Sequence, residues 1–121
     1  MHISNTIVTD VFGVDPEWLV NSNEWRSLLT EAAKAGDYTV LDTTITEFDG
    51  GGLTGVAVLA ESHLFVHTWP EHDYVAVTLE SCKDEEYARE VLGHLLDQLD
   101  PDNYRTEWTN RYARPPKSHS D

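Results

Sequence analysis

The sequence holds one cysteine, one methionine, and only 8 lysines and arginines against 22 aspartates and glutamates. A single cysteine closes no internal disulfide, and no zinc-type Cys/His spacing is present. The shortage of basic residues leaves a formal charge of -14. That argues against nucleic acid as a partner, because a phosphate backbone is bound by clustered Lys and Arg. The same acidic field would gather cationic small molecules; it also serves solubility or adaptation to a salty cytoplasm. No apolar run approaches the roughly 20 residues that span a bilayer. The first 20 residues lack a basic start followed by an apolar stretch, so neither a membrane segment nor a signal peptide is expected, and a cytoplasmic location is. The length of 121 residues suits one domain, expected over 1–115. The closing stretch "ARPPKSHSD" is rich in Pro and Ser, and 116–121 are expected to be mobile.

What is present is a run of short periodic segments. Ile3 to Phe12 is rich in β-branched residues and reads as a strand. "GVDP" turns the chain, with Asp15 and Pro16 suited to open a short helical piece. In Glu24 to Lys34, Trp25, Leu28, Leu29 and Ala32 recur at helical spacing, and "AGD" ends the helix at Gly36. Tyr38 to Phe48 alternates as a strand, "DGGG" turns, and the apolar run Leu53 to Ala60 predicts a strand buried on both faces. His63 to Trp69 and Tyr74 to Glu80 follow as strands around "PEHD". Residues 83–99 form the clearest helix, with Asp84 as its cap and Tyr87, Val91, Leu95 and Leu99 on one face. Tyr104 to Trp108 closes as an edge strand. This order predicts an α+β fold, a two-layer sandwich of an antiparallel or mixed sheet with helices on one face. The other face carries apolar and aromatic residues, so two copies are expected to pair sheet to sheet in an αββα dimer.

The stretch "ESHLFVHTWPEHDY", 61–74, concentrates the reactive side chains. Ser62 alone is a turn former and lacks the G-x-S-x-G setting of a hydrolase nucleophile. His63 and His67 share a strand face but sit roughly 13 Å apart in an extended chain, too far to share one ion, so no metal is expected. Cys82 falls just before a helix start, where the positive end of the helix favours a thiolate; a small buried hydrophobe is the ordinary alternative.

The uninterrupted match is longer. Phe48, then "TGVAVLAESHLFVHTWPEHDYVAV" over 54–77, then Cys82, resembles the proenzyme of S-adenosylmethionine decarboxylase in its short prokaryotic form. "DVFGVDPEWL" and the helix after the cysteine fall in the same order as in that family. The resemblance implies self-cleavage between Glu61 and Ser62, giving chains 1–61 and 62–121. The Ser62 hydroxyl attacks the preceding carbonyl, the resulting ester is eliminated, and hydrolysis leaves a covalent pyruvoyl group at the head of the second chain. Such a ketone forms a Schiff base with an amino-acid substrate and takes up the electrons released with CO₂, which no standard side chain does well. It further implies Cys82 as proton donor, His67 as the proton-transfer group of processing, Thr54 as its assistant, and Phe48, Glu71 and Asp10 as substrate-binding residues. The resemblance also implies that the product, decarboxylated S-adenosylmethionine, donates the aminopropyl group for making spermidine. Extended geometry puts Ser62 and His67 roughly 16 Å apart, so either the chain folds back or His67 serves the Ser62 of a second subunit. The resemblance favours the second, with sites shared in a homodimer.

Several positions depart from the family pattern, none of them in the self-cleavage core and several where the resemblance implies that substrate binds. Thr6 stands near a usual histidine, Val14 replaces a cysteine, Thr78 replaces an acid, Lys83 replaces a glycine, and "DGGG" lacks a proline. Ornithine or arginine therefore stand as alternative substrates, and a regulatory paralogue that does not process itself stands as an alternative of another class.

Overall fold

The computed structural model describes residues 1–115; the segment 116–121, expected from its composition to be mobile, lies outside the described residues. Six strands form one sheet in the order β2-β3-β4-β5-β1-β6. They are β1 (His2–Phe12), β2 (Val40–Glu47), β3 (Leu53–Leu59), β4 (Ser62–Trp69), β5 (Tyr74–Ser81) and β6 (Asn103–Tyr112). Every neighbouring pair is antiparallel. Three helices join them: α1 (Pro16–Val20), α2 (Ser22–Ala35) and α3 (Glu85–Leu99).

Local chemistry explains the boundaries. Asp15 caps α1 by accepting from the Glu17 N–H at 3.0 Å, with Pro16 in the first turn, where a missing N–H costs nothing. Asn21 accepts from the Glu24 N–H at 3.1 Å and starts α2 at Ser22, two residues before the expected start at Glu24. Asp84 occupies the cap position of α3, but its side chain makes no capping hydrogen bond. The closing strand is longer than Tyr104 to Trp108, because β1 offers partners from Phe12 back to His2.

The core lies between the helices and one sheet face. Trp25, Leu28, Leu29, Ala32 and Ala33 of α2 and Ala88, Val91, Leu95 and Leu99 of α3 are buried. They pack over Ile7, Val11, Ala57, Leu64, Val66, Val75, Val77 and Leu79 of the sheet. One expectation is corrected here: β3 is buried on one face only. Leu53, Gly55, Ala57 and Leu59 face the helices, while Val56 is half-buried and Val58 is 42% exposed. Both faces of β3 are apolar in sequence, but the helices cover only one.

The uncovered face carries the alternate residues. Val56 and Val58 of β3, Phe65, His67 and Trp69 of β4, Tyr74 of β5, and Val8 and Phe12 of β1 line it. Its aromatic rings form one chain of contacts, Phe65 to His67 to Trp69 to Tyr74 to Phe12, at centroid spacings of 4.6, 5.5, 5.5 and 5.4 Å.

Candidate active site

The tight connection between β3 and β4 consists of Ala60 and Glu61, since Leu59 and Ser62 are already paired. Glu61 adopts φ 62°, the left-handed region. A residue with a Cβ is strained there by roughly 1–2 kcal/mol, and hairpin turns ordinarily place Gly or Asn at such positions. The peptide bond between Glu61 and Ser62 thus follows a strained residue at an exposed turn.

Two further groups converge on that bond. The register of β5 on β4 pairs His63 with Glu80, so the chain leaving β5 passes beside the start of β4. There the Cys82 thiol donates to the Glu61 carbonyl oxygen at 2.6 Å, and the Cys82 N–H donates to Ser62 Oγ at 3.2 Å. Ser62 itself is nearly buried, on the same face as Leu64 and Val66. Glu61, Ser62 and Cys82 therefore form one cluster: a hydroxyl next to a carbonyl whose oxygen already holds a hydrogen-bond donor.

The other sequence-predicted residues gather at the far end of the same hairpin. Thr54 and His67 are direct cross-strand partners, and Thr54 Oγ1 meets His67 Nδ1 at 2.7 Å. Phe48, 55% exposed, sits at the turn after β2, where the Phe48 N–H donates to the Gly52 carbonyl at 2.8 Å. Gly50 and Gly51 have φ of 93° and 97°, which is why this turn needs glycine. Glu71 is in the 3-10 turn Pro70–His72 after β4. A cleft of about 230 Å³ brings Phe48, His67, Trp69 and Glu71 together. Trp69 was missed by sequence reasoning, although alternation from His67 puts it on the same face. A larger, shallow cleft of about 600 Å³ lies at the α1–α2 junction, lined by Glu17, Asn21 and Glu47, and none of the predicted residues reaches it.

Asp10 lies in the same cross-sheet row as Thr54 and His67, reached through Ala76. Its carboxylate is already engaged. The Tyr74 hydroxyl donates to one oxygen, and Arg105 Nε donates to the other at 2.9 Å. The Tyr74 hydrogen bond, then Arg105, hold Asp10 below the usual aspartate range. Burial first, and the Asp10 contact second, push Tyr74 up to about 12. A second ion pair on the open face joins Glu80 to Arg111 at 2.9 Å. Burial works against the Glu80 carboxylate, but hydrogen bonds from Thr6 and Ser4 and the Arg111 charge keep its pKa below the ordinary value.

The two clusters do not meet within one chain. The strand β4 is extended throughout, so Ser62 and His67 remain roughly 16 Å apart along it. They also point to opposite faces, Ser62 with the core and His67 with the open side. A sharp fold-back of the chain is thereby excluded. Among the described residues no group of three His, Cys, Asp or Glu side chains is placed to hold a metal ion, and no helix is long and apolar enough to cross a membrane.

Comparison with known proteins agrees with this layout. The family model for S-adenosylmethionine decarboxylase matches residues 5–112. An S-adenosylmethionine decarboxylase proenzyme of a Hydrogenobaculum species is 36% identical over 95 residues, covering 78% of this chain and 71% of that protein. The proenzyme of the same name from Aquifex aeolicus is also 36% identical over 95 residues, covering 78% and 70%. The crystal structure of the adenosylmethionine decarboxylase from Aquifex aeolicus superposes with a TM-score of 0.86 at 29% identity, covering 98% of both chains.

Proposed function

The chain belongs to the S-adenosylmethionine decarboxylase family, and on that premise we propose that it cuts itself between Glu61 and Ser62 and then converts S-adenosylmethionine to decarboxylated S-adenosylmethionine and CO₂. The observation that carries this reading is the Cys82 thiol on the Glu61 carbonyl, with Ser62 Oγ one residue on.

Self-cleavage starts with attack of Ser62 Oγ on the Glu61 carbonyl carbon. Negative charge then develops on the carbonyl oxygen, where the Cys82 S–H already donates; donors preset at such an oxygen are a strong source of rate. The nitrogen leaves, and Glu61 is joined to Ser62 through an ester. Elimination then takes a proton from Ser62 Cα while the ester oxygen departs from Cβ. Base and leaving oxygen can therefore act from opposite faces of the strand, which suits a base that arrives from the open side.

That base is His67 of a second copy. An open face of aromatic and apolar residues, on which Asp10–Arg105 and Glu80–Arg111 form ion pairs within the chain, suits burial against another such face. A two-fold axis lying between the two sheets and running across the strands reverses β4. The Phe48–Thr54–His67–Glu71 end of one copy then covers the Glu61–Ser62–Cys82 end of the other. Two shared sites per dimer follow from the symmetry. The Thr54 contact orients the His67 ring and sets which nitrogen is free.

The residues around Ser62 fit a pyruvoyl group at that position. The Cys82 N–H stands ready as a donor, and the cluster is closed off by the core on one side. When formed, that group supplies the electron sink that amino-acid decarboxylation requires. Phe48 and Trp69 offer flat surfaces for a nucleobase, Glu71 offers a carboxylate for ribose hydroxyls, and Cys82 returns a proton to the substrate Cα. The acidic chain, acting in the cytoplasm, draws in a sulfonium cation. The named relatives are S-adenosylmethionine decarboxylase proenzymes, with no basic-amino-acid decarboxylase among those compared above. The test is CO₂ release from carboxyl-labelled S-adenosylmethionine, ornithine and arginine in parallel. Release from S-adenosylmethionine alone is expected; release from ornithine or arginine instead would overturn the substrate assignment.

A further inference from the structure

Cys82 opens a short irregular link, 82–84, that follows Ser81, the last paired residue of β5, and something must hold that link still. Ser81 is fully buried, and its Oγ accepts the Lys83 N–H at 3.2 Å. The same oxygen shares a hydrogen bond with the hydroxyl of Tyr38, which is only 5% exposed and enters from the opposite edge of the domain, just before β2. Lys83 closes the arrangement from outside. Its ammonium lies 5.2 Å from the Tyr38 ring centre and 4.5 Å from that of Tyr87, and it donates to the Asp37 carbonyl. Burial keeps Tyr38 above the ordinary tyrosine range, and the nearby Cys82 acts in the same direction, so its phenol stays neutral and able to donate.

We propose that Tyr38, through Ser81, is a positioning residue that holds Cys82 in line with the Glu61–Ser62 bond. The hydroxyl pair fixes the backbone at Ser81; the next residue then delivers its N–H to Ser62 Oγ and its thiol to the Glu61 carbonyl. Tyr38 touches no reacting atom and acts only by restricting where Cys82 can be. This inference rests on self-cleavage at Ser62, as proposed above.

The test uses full-length chains carrying Tyr38→Phe, Ser81→Ala or Ser81→Thr, with cleavage followed on denaturing gels and turnover measured after cleavage is complete. Tyr38→Phe keeps the ring and its packing and removes one hydrogen bond. It is expected to slow cleavage roughly five- to tenfold, on the order of one neutral hydrogen bond, and to lower kcat by a similar factor with KM unchanged. Ser81→Ala should match it, and Ser81→Thr, which keeps a hydroxyl, should recover most of both rates. Cleavage and kcat of Tyr38→Phe equal to the unmutated chain would overturn the proposal, as would a Ser81→Thr chain no better than Ser81→Ala. An unmutated chain that never cleaves would instead overturn the reading beneath it.

Discussion

At the scale of single residues, the chemistry depends on one thiol in two settings. Before cleavage the Cys82 S–H is a hydrogen-bond donor to the Glu61 carbonyl; after cleavage the proposed reaction uses it as the proton source for turnover. The two uses have different sensitivities. With Cys82→Ala, the Cys82-position N–H still reaches Ser62 Oγ and the strain at Glu61 remains, so cleavage should slow by roughly a hundredfold, the low end for the loss of one donor at a developing oxyanion, yet run to completion. Decarboxylation should fall far more, because no other acidic group among the described residues is hydrogen-bonded to this cluster. Gel densitometry over time and CO₂ release on the cleaved product separate the two effects. Normal turnover by Cys82→Ala would remove Cys82 from the proton-donor role.

At the scale of elements, the order of strands and helices was legible because its signals are local. Period-two alternation set β4 and β5, and the apolar spacing in 83–99 set α3. The placement of Glu61, Ser62, His67 and Thr54 on one hairpin followed from the motif, and parity alone puts residues 62 and 67 on opposite faces of a strand. What was not legible depends on register between strands far apart in sequence. Tyr38 meets Ser81 across 43 positions, and Asp10 meets Arg105 across 95; nothing in either stretch announces the other. The one-sided burial of β3 was hidden for another reason: the open face is apolar in sequence whether or not a single chain covers it.

The Asp10–Tyr74–Arg105 group, which ties β5, β1 and β6 together, has a pH signature. Tyr74 titrates near 12 in the folded chain, above its ordinary value of 10.0. Its contribution to stability is fully present below pH 10 and is lost as pH rises from 10 to about 12. Asp10 titrates below its ordinary 3.8, so its contribution is present above that value and fades as pH falls beneath it. Thermal melting of the uncleavable Ser62→Ala chain should therefore show a fall in Tm above pH 10 that Tyr74→Phe reduces. The same substitution should also reduce the loss below pH 4, since it deletes Asp10's first hydrogen bond. An unchanged alkaline slope in Tyr74→Phe would contradict the assignment.

At the scale of the whole molecule, one chain places Ser62 and His67 at opposite ends of a hairpin and on opposite faces of a strand. In the proposed dimer these halves become one site only in a pair. Complementation between two disabled chains tests this. Ser62→Ala lacks the nucleophile and His67→Ala lacks the base, so neither should cleave alone. Co-expressed, the His67→Ala chain should be cut, because its Ser62 faces an intact His67 from its partner, while the Ser62→Ala chain stays whole. No cleavage in the mixture would place both groups in a single chain.

The cleavage, turnover and complementation outcomes presuppose that the backbone opens ahead of Ser62. Intact mass measurement of the purified, unmutated protein, before and after borohydride reduction, tests that most directly. Two chains are predicted, 1–61 and 62–121, the second headed by a carbonyl group that gains two hydrogens on reduction. A single continuous chain of 13.7 kDa that releases CO₂ from S-adenosylmethionine while keeping serine at position 62 would contradict it.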